Sequence, residues 1–269
     1  MKFGICCNVS DAQEAAEAGF DYFESGVGSA LVPEGGDEEW ALAKVAILAA
    51  PLPMLACNCF IPGCFRLTGP AADHAPALAY AETACRRADE VGCRAIVLGS
   101  GGARNVPGDF CGPDRPDLEG GLRQFEDFCS ALAERIADCS VTVVIEPLRP
   151  NESNIVNYVW QAVRIVGRIG SPRIRALADF FHMIRGGEDA RSIVDAGALL
   201  AHCHAAEGAT RAYPGHANPG ELSPYFHALR LIGYEGCVSC ECSWPLEEGQ
   251  TPLDARRKAL ETLKSLSRP

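Results

Sequence analysis

Eight short apolar runs, each followed by a longer stretch of helical periodicity, dominate this chain. The runs are Phe3–Cys7, Asp21–Glu24, Pro53–Cys57, Ala95–Gly99, Val141–Glu146, Arg175–Asp179, Leu199–His204 and Cys237–Glu241. Helical patterns follow over Asp11–Ala18, Asp37–Ala50, Ala72–Val91, Leu118–Ala137, Ile155–Ile169, Asp189–Ala196, Leu222–Leu231 and Pro252–Leu266. A helix, a glycine, an aromatic residue or cysteine, and then a strand recur as one phrase: AGFDYFE, VGCRAIV, IGYEGCV. Glycine after Ala18, Val91 and Ile232 falls where a helix should stop. Strict strand–helix alternation builds a parallel sheet, and eight such units predict a (β/α)8 TIM barrel. An open doubly wound sheet is the rival. It would not easily bring the ends of its last four strands to one point.

The length of 269 residues suits a barrel of this kind as a single domain over residues 1–269. No linker, low-complexity tract or charge block interrupts it. The formal net charge of −11 opposes non-specific nucleic-acid binding, which depends on Lys and Arg at phosphates. The N-terminal MKFGICCNVS lacks the basic and apolar regions of a signal peptide. The most apolar stretch, Trp40 to Phe60, is broken by Lys44, Pro51 and Pro53 and does not read as a membrane span. The 14 cysteines are therefore expected to be reduced thiols in a cytoplasmic protein. Cys57-x-Cys59 and Cys240-x-Cys242 have the wrong spacing for a zinc knuckle and read as packing residues. Cys6 and Cys7 face opposite sides of one strand.

Four potential metal ligands end the last four strands: Glu146 in VTVVIE, Asp179 in RALAD, His204 in LLAHCH and Glu241 in GCVSCE. A barrel gathers its chemistry at these C-terminal strand ends. A carboxylate ending a buried apolar run has little reason to be there unless paired or coordinated. The competing readings are an Arg salt bridge for Glu146 and a helix cap for Asp179. His202 and His204 share one side of their strand. His204, nearer the mouth, is the better ligand, and His202 an inner packing or supporting residue. Three carboxylates and an imidazole suit one divalent ion such as Mn²⁺, Co²⁺ or Mg²⁺. Strands 5 and 8 stand well apart around the ring, so Glu146 and Glu241 should face each other across a substrate. Two bases on opposite faces of one carbon serve proton abstraction and return.

An outer set is less specific. His182 is a candidate for substrate hydrogen bonding; Glu152, Glu207 and Arg211 are candidates for binding hydroxyls or orienting His182. Gly99-Ser-Gly-Gly-Ala-Arg104 lacks a phosphate-loop ending, but Arg104 is a candidate anion ligand. Long loops after strands 3, 4 and 7 should wall the pocket.

IEPLRPNESN, ADFFHM, HCHAAEGATR and VSCE, with their spacing, resemble the sugar phosphate isomerase/epimerase superfamily, the xylose isomerase-like barrels. Within it, the chain is most similar to the ketose 3-epimerases of the D-tagatose and D-psicose group. The resemblance runs over the second half of the chain. It implies that Glu146, Asp179, His204 and Glu241 bind one divalent ion, most often Mn²⁺, with Co²⁺, Mg²⁺ and Zn²⁺ as alternatives. It implies that Glu146 and Glu241 are also the acid/base pair, and that Glu152, His182 and Arg211 contact a carbohydrate substrate. It further implies a homodimer or homotetramer. One departure is Arg149-Pro150, where the family often has Asn-Arg after Glu-Pro-Leu.

The expected activity is metal-dependent epimerisation or isomerisation of a keto sugar or sugar phosphate through an enediolate. A dehydratase of an inosose or dehydroshikimate begins with the same proton abstraction and is the alternative. An abasic-site endonuclease of the superfamily would need many more histidines than the six present. Retention of all four ligand candidates opposes a non-catalytic binding role.

Overall fold

The structure is a computed structural model and describes residues 1–109 and 114–268. Strands β1 (Lys2–Cys6), β2 (Tyr22–Gly26), β3 (Met54–Asn58), β4 (Ala95–Leu98), β5 (Thr142–Ile145), β6 (Ile174–Asp179), β7 (Leu200–Ala205) and β8 (Cys237–Cys240) close into a barrel in chain order. Every neighbouring pair is parallel, and β1 pairs with β8 through Lys2 opposite Cys237 and Ile5 opposite Cys240. The expected strands lie within two residues of these limits. The open-sheet rival is excluded by the β1–β8 seam.

The principal helices, one after each strand, are Ala12–Ala18, Asp37–Ala49, His74–Glu90, Leu118–Arg135, Val159–Ile169, Arg191–Ala196, Ser223–Leu231 and Pro252–Ser267. The three glycines read as helix stops take φ of 93° at Gly19, 74° at Gly92 and 63° at Gly233, a region L side chains avoid. One expected helix starts late. Val156 sits at φ 56°, and the Gln161 carboxamide oxygen accepts from the Asn157 and Tyr158 N–H groups, so the helix opens at Val159 and not at Ile155. Three short helices were not expected: Val27–Ala30, Gly101–Arg104 and Phe180–Gly186. Each is under two turns, too short for apolar periodicity to register.

Two apolar layers hold the ring. Outward-facing strand residues such as Ile5, Phe23, Val143, Ile145, Cys203 and Val238 are buried in one core with helix residues including Phe125, Phe128 and Leu132. Full burial of each such side chain contributes roughly 1.5–3 kcal/mol. Inside the barrel a smaller cluster contains Tyr22, Ala95, Val97, Val144 and Leu177. These lie two or four residues before a strand-end residue, on the same alternation. Gly4 makes room for this interior: a Cβ there would lie 2.3 Å from the Tyr22 ring. The interior is thus apolar below and polar above.

The loops after β3, β4 and β7 are long, as expected, although residues 110–113 of the second lie outside the described residues. Thirteen cysteines are free thiols, and Cys111 lies outside the described residues. No described helix is long and apolar enough to cross a membrane.

Candidate active site

The ends of β5, β6, β7 and β8 converge. Glu146, Asp179, His204 and Glu241 each offer a ligand atom, and these atoms all lie within 4.8 Å of one another. Nδ1 of His204 is the hub. It stands 3.2 Å from Glu146 Oε1, 3.3 Å from Glu241 Oε2 and 3.6 Å from Asp179 Oδ2. Local structure sets each group. Glu146 follows β5 directly, its N–H bonded to the Leu98 carbonyl and its carbonyl bonded by Arg104. Asp179 ends β6 and caps the helix Phe180–Gly186, its Oδ1 accepting from the His182 N–H at 2.9 Å. Capping and convergence on the hub are therefore not alternatives for Asp179. Glu241 follows β8, and Arg211 Nη2 donates to its Oε2 at 2.5 Å.

The cluster's charge is unbalanced. His204 would lose its proton through burial alone, but Glu24, Glu241, Asp179 and Glu146 around it raise its pKa well above the ordinary value. Burial, and then the Glu241 charge, pushes the Glu146 carboxyl up. Burial acts the same way on Asp179, but His182, His204 and Arg211 outweigh it and hold Asp179 below the usual carboxylate range. Glu241 is likewise lowered against burial, by His204 and Arg211. One imidazole N–H cannot satisfy three carboxylates, and Asp179 Oδ2, fully buried, has no hydrogen-bond partner. A divalent cation fits this donor set.

A cavity of about 210 Å³ opens over the cluster, lined by Asn58, Cys59, Gly99, Ser100, Glu146, Leu148, Glu152, His182, Arg211 and Glu241. All three expected substrate contacts are in it. His182 Nδ1 accepts from the Arg149 N–H, which puts the ring proton on Nε2. That Nε2 is buried without a hydrogen-bond partner and lies 3.9 Å from Glu152 Oε2. Glu152 pairs with Arg149 at 2.7 Å. The guanidiniums of Arg149 and Arg211 lie 5.0 and 4.8 Å from the Phe181 ring centroid. Arg149 thus occupies the family departure with a defined role, bracing Glu152. A larger cavity of about 790 Å³ beside Val106 and Gln124 contains none of these groups.

Two outer candidates are corrected. Arg104 is no anion ligand: it is fully buried, and its guanidinium donates to the carbonyls of Leu98, Glu146 and Val156 and to Ser153 Oγ. Glu207 does not line the cavity, and its carboxylate accepts from the backbone N–H groups of Gly215, Ala217 and Asn218. His202 is a supporting residue, its Nε2 bonded to Glu24 Oε2 at 2.9 Å.

Glu24 itself was missed. It ends the apolar run DYFE as the four ligand candidates end theirs, so the same signal marks it. It groups with Cys6 and His204, while Cys7 stays outside that group. Phe181 was also missed, and Gly99, read as the start of a loop that could cradle an anion through its backbone N–H groups, instead makes room for Glu146. A Cβ on Gly99 would lie 2.3 Å from Glu146 Oε2.

The chain matches 28% of residues over 142 with a ketose 3-epimerase of Arthrobacter globiformis, 49% of this chain and 48% of that protein. It is 31% identical over 148 residues to a D-psicose 3-epimerase of Enterocloster bolteae, 54% of this chain and 47% of that protein. A 3-dehydro-D-guloside 4-epimerase of Escherichia coli is 27% identical over 149 residues, 55% of each. The chain thus spans about half the length of the curated relatives it matches. Among solved structures, a D-psicose 3-epimerase of Clostridium cellulolyticum H10 with D-tagatose superposes with a TM-score of 0.81 at 20% identity, over 100% of both chains. A 3-keto-D-glucoside 4-epimerase of E. coli gives 0.77 at 23%, over 98% of this chain and 99% of that one. These likenesses establish the fold. The family model for xylose isomerase-like TIM barrels matches residues 12–266, the span that contains every strand end of the cluster, and the chain belongs to that family.

Proposed function

We propose that this protein is a divalent-metal-dependent epimerase of a neutral keto sugar. One observation carries the reading: Glu146 and Glu241, from β5 and the end of β8, flank His204 Nδ1 at 3.2 and 3.3 Å on the floor of one cavity. Two carboxylates from separate strands can take a proton from one face of a carbon and return one to the other. The named activities of the relatives, ketose 3-epimerase and D-psicose 3-epimerase among them, belong to this reaction class.

Glu146, Asp179, His204 and Glu241 would hold the ion, with Mn²⁺ the best match to an oxygen-rich set with one imidazole. A divalent ion held there would supply Lewis-acid polarisation of a ketone oxygen. Glu146 and Glu241 move the proton at the reacting carbon. His182 donates from Nε2 to a substrate oxygen, and Arg211 and Glu152 orient hydroxyls. The substrate is unphosphorylated. Among the described residues Arg211 is the only Lys or Arg lining the cavity, it is paired with Glu241, and a phosphate would meet Glu146, Glu152 and Glu241.

The test is proton exchange in D2O, followed by NMR, with metal-stripped protein, with and without Mn²⁺. Ketopentoses, ketohexoses and their phosphates are the substrates. Mn²⁺-dependent deuterium uptake at C3 of a free ketose, with a new epimer, is expected. Uptake at C4 would move the reaction one carbon along. An absorbing unsaturated product from a cyclic substrate, with no sugar exchange, would mark the dehydratase instead. Glu146→Gln and Glu241→Gln are each expected to lower turnover by about 10²–10⁴-fold with circular dichroism unchanged. Near-normal turnover in both would sink the two-carboxylate mechanism.

A further inference from the structure

Behind the hub sits a buried carboxylate that the proposed reaction does not use. Glu24, at 0% exposure, has no lysine or arginine among its hydrogen-bond partners. Its Oε1 lies 3.0 Å from His204 Nε2, and its Oε2 lies 2.9 Å from His202 Nε2 and 2.6 Å from Ser239 Oγ. Ser239 Oγ in turn lies 2.7 Å from the Tyr22 hydroxyl. An ionised carboxylate only accepts, so all three neighbours must donate to it. Ser239 then commits its single proton to Glu24 and accepts from Tyr22. His204 commits the proton on Nε2. The only ring nitrogen left to offer a lone pair is Nδ1, the one at the centre of Glu146, Asp179 and Glu241.

We infer that Glu24 is a positioning residue: it fixes the tautomer and the ring plane of His204 so that Nδ1 faces the ion-binding cluster. An imidazole free to exchange its tautomer would spend part of its time with a proton on the ligand atom. A buried anion at Nε2 keeps the retained proton there, so that when an ion displaces the proton from Nδ1 the lone pair is left facing the cluster, and it makes Nδ1 a better donor. The same bonds decide against a second ion between Cys6, Glu24 and His204. Glu24 Oε1 and His204 Nε2 are already engaged with each other at 3.0 Å, and in this tautomer Nε2 presents a proton rather than a lone pair. His202 is the companion donor on the other oxygen of Glu24.

The inference rests on reading the four-residue cluster as a metal centre, and the experiment separates the two. Calorimetric titration of the metal-stripped full chain with Mn²⁺ is expected to show one ion per chain. Glu24→Gln is expected to bind Mn²⁺ about 10–100-fold more weakly, while its metal-free thermal unfolding stays cooperative. Should that variant fail to fold, the wild-type protein still decides. Loaded with diamagnetic Zn²⁺, it should show long-range ¹H–¹⁵N correlations of a His204 ring protonated at Nε2 and coordinated through Nδ1. Coordination through Nε2 overturns the inference. So does wild-type Mn²⁺ affinity in a folded Glu24→Gln protein, or a second bound ion that Cys6→Ser removes. A wild-type chain that binds no divalent ion overturns this inference and the metal centre together.

Discussion

Gly99 acts by leaving room. Its Cβ, were it present, would meet Glu146 Oε2 at 2.3 Å, with Leu148 next at 3.5 Å. Its backbone is not in the left-handed region, so alanine costs little conformationally. The whole effect of Gly99→Ala should fall on the position of Glu146. We expect circular dichroism and thermal unfolding close to wild type, with turnover lowered roughly 10²-fold by displacement of the carboxylate. Turnover within a factor of two of wild type would remove Gly99 from the site. Other residues divide by whether their partners are near in sequence. Glu146, Asp179, His204 and Glu241 are legible because a carboxylate or imidazole ending an apolar strand is costly unless it has work there. Arg104 is illegible: its partners are three backbone carbonyls and the Ser153 hydroxyl, up to 52 positions away, and no side-chain pattern announces them.

At the scale of elements, the loop after β7 shows why Glu207 read as a substrate group. Its charge in a glycine-rich loop near Arg211 looks the same whether it faces a ligand or the loop's own backbone. Here it gathers the N–H groups of Gly215, Ala217 and Asn218, and its own carbonyl accepts from the Arg211 N–H. A second carboxylate, Glu221, accepts from the Gly208 N–H and ties the loop's two sides. Glu207→Gln places an amide N–H₂ among backbone donors that need an acceptor. The expected loss is about 1–3 kcal/mol in urea unfolding, with faster amide exchange confined to residues 208–218. Because Arg211 rides on this loop, KM should rise more than kcat falls. Unchanged exchange across the loop would show that Glu207 does not hold it. The helix at Val159 teaches a related lesson. Apolar periodicity begins at Ile155, but Gln161 caps the chain three residues later, and a cap formed by a side chain inside the helix leaves the earlier residues in the loop.

Across the whole molecule, strand order and the closed ring were legible because eight βα phrases repeat and four strand-end ligands need one meeting point, whereas the contacts that close the ring were not: Tyr22 meets Ser239, 217 positions apart. Those closing contacts converge on His204, which meets Glu24 from β2 on one side and the ends of β5, β6 and β8 on the other. The cluster is therefore also a strap across the barrel. Without an ion, three carboxylates share one imidazolium and the Arg211 guanidinium, and the strap carries excess negative charge. With an ion, the folded chain gains a ligand that the unfolded chain cannot assemble. At an Mn²⁺ concentration of about 100 Kd this contributes about 2.7 kcal/mol. For a chain of this size that raises the unfolding midpoint by roughly 5–10 °C. The shift should grow with the logarithm of Mn²⁺ concentration and vanish in Asp179→Asn and His204→Ala, whose lost ligands belong to adjacent strands β6 and β7. Scanning calorimetry of metal-stripped protein across an Mn²⁺ series measures it directly. A midpoint that does not move would mean that the ends of β5 to β8 hold no ion, and the carboxylates would then need another account of why the fold tolerates them.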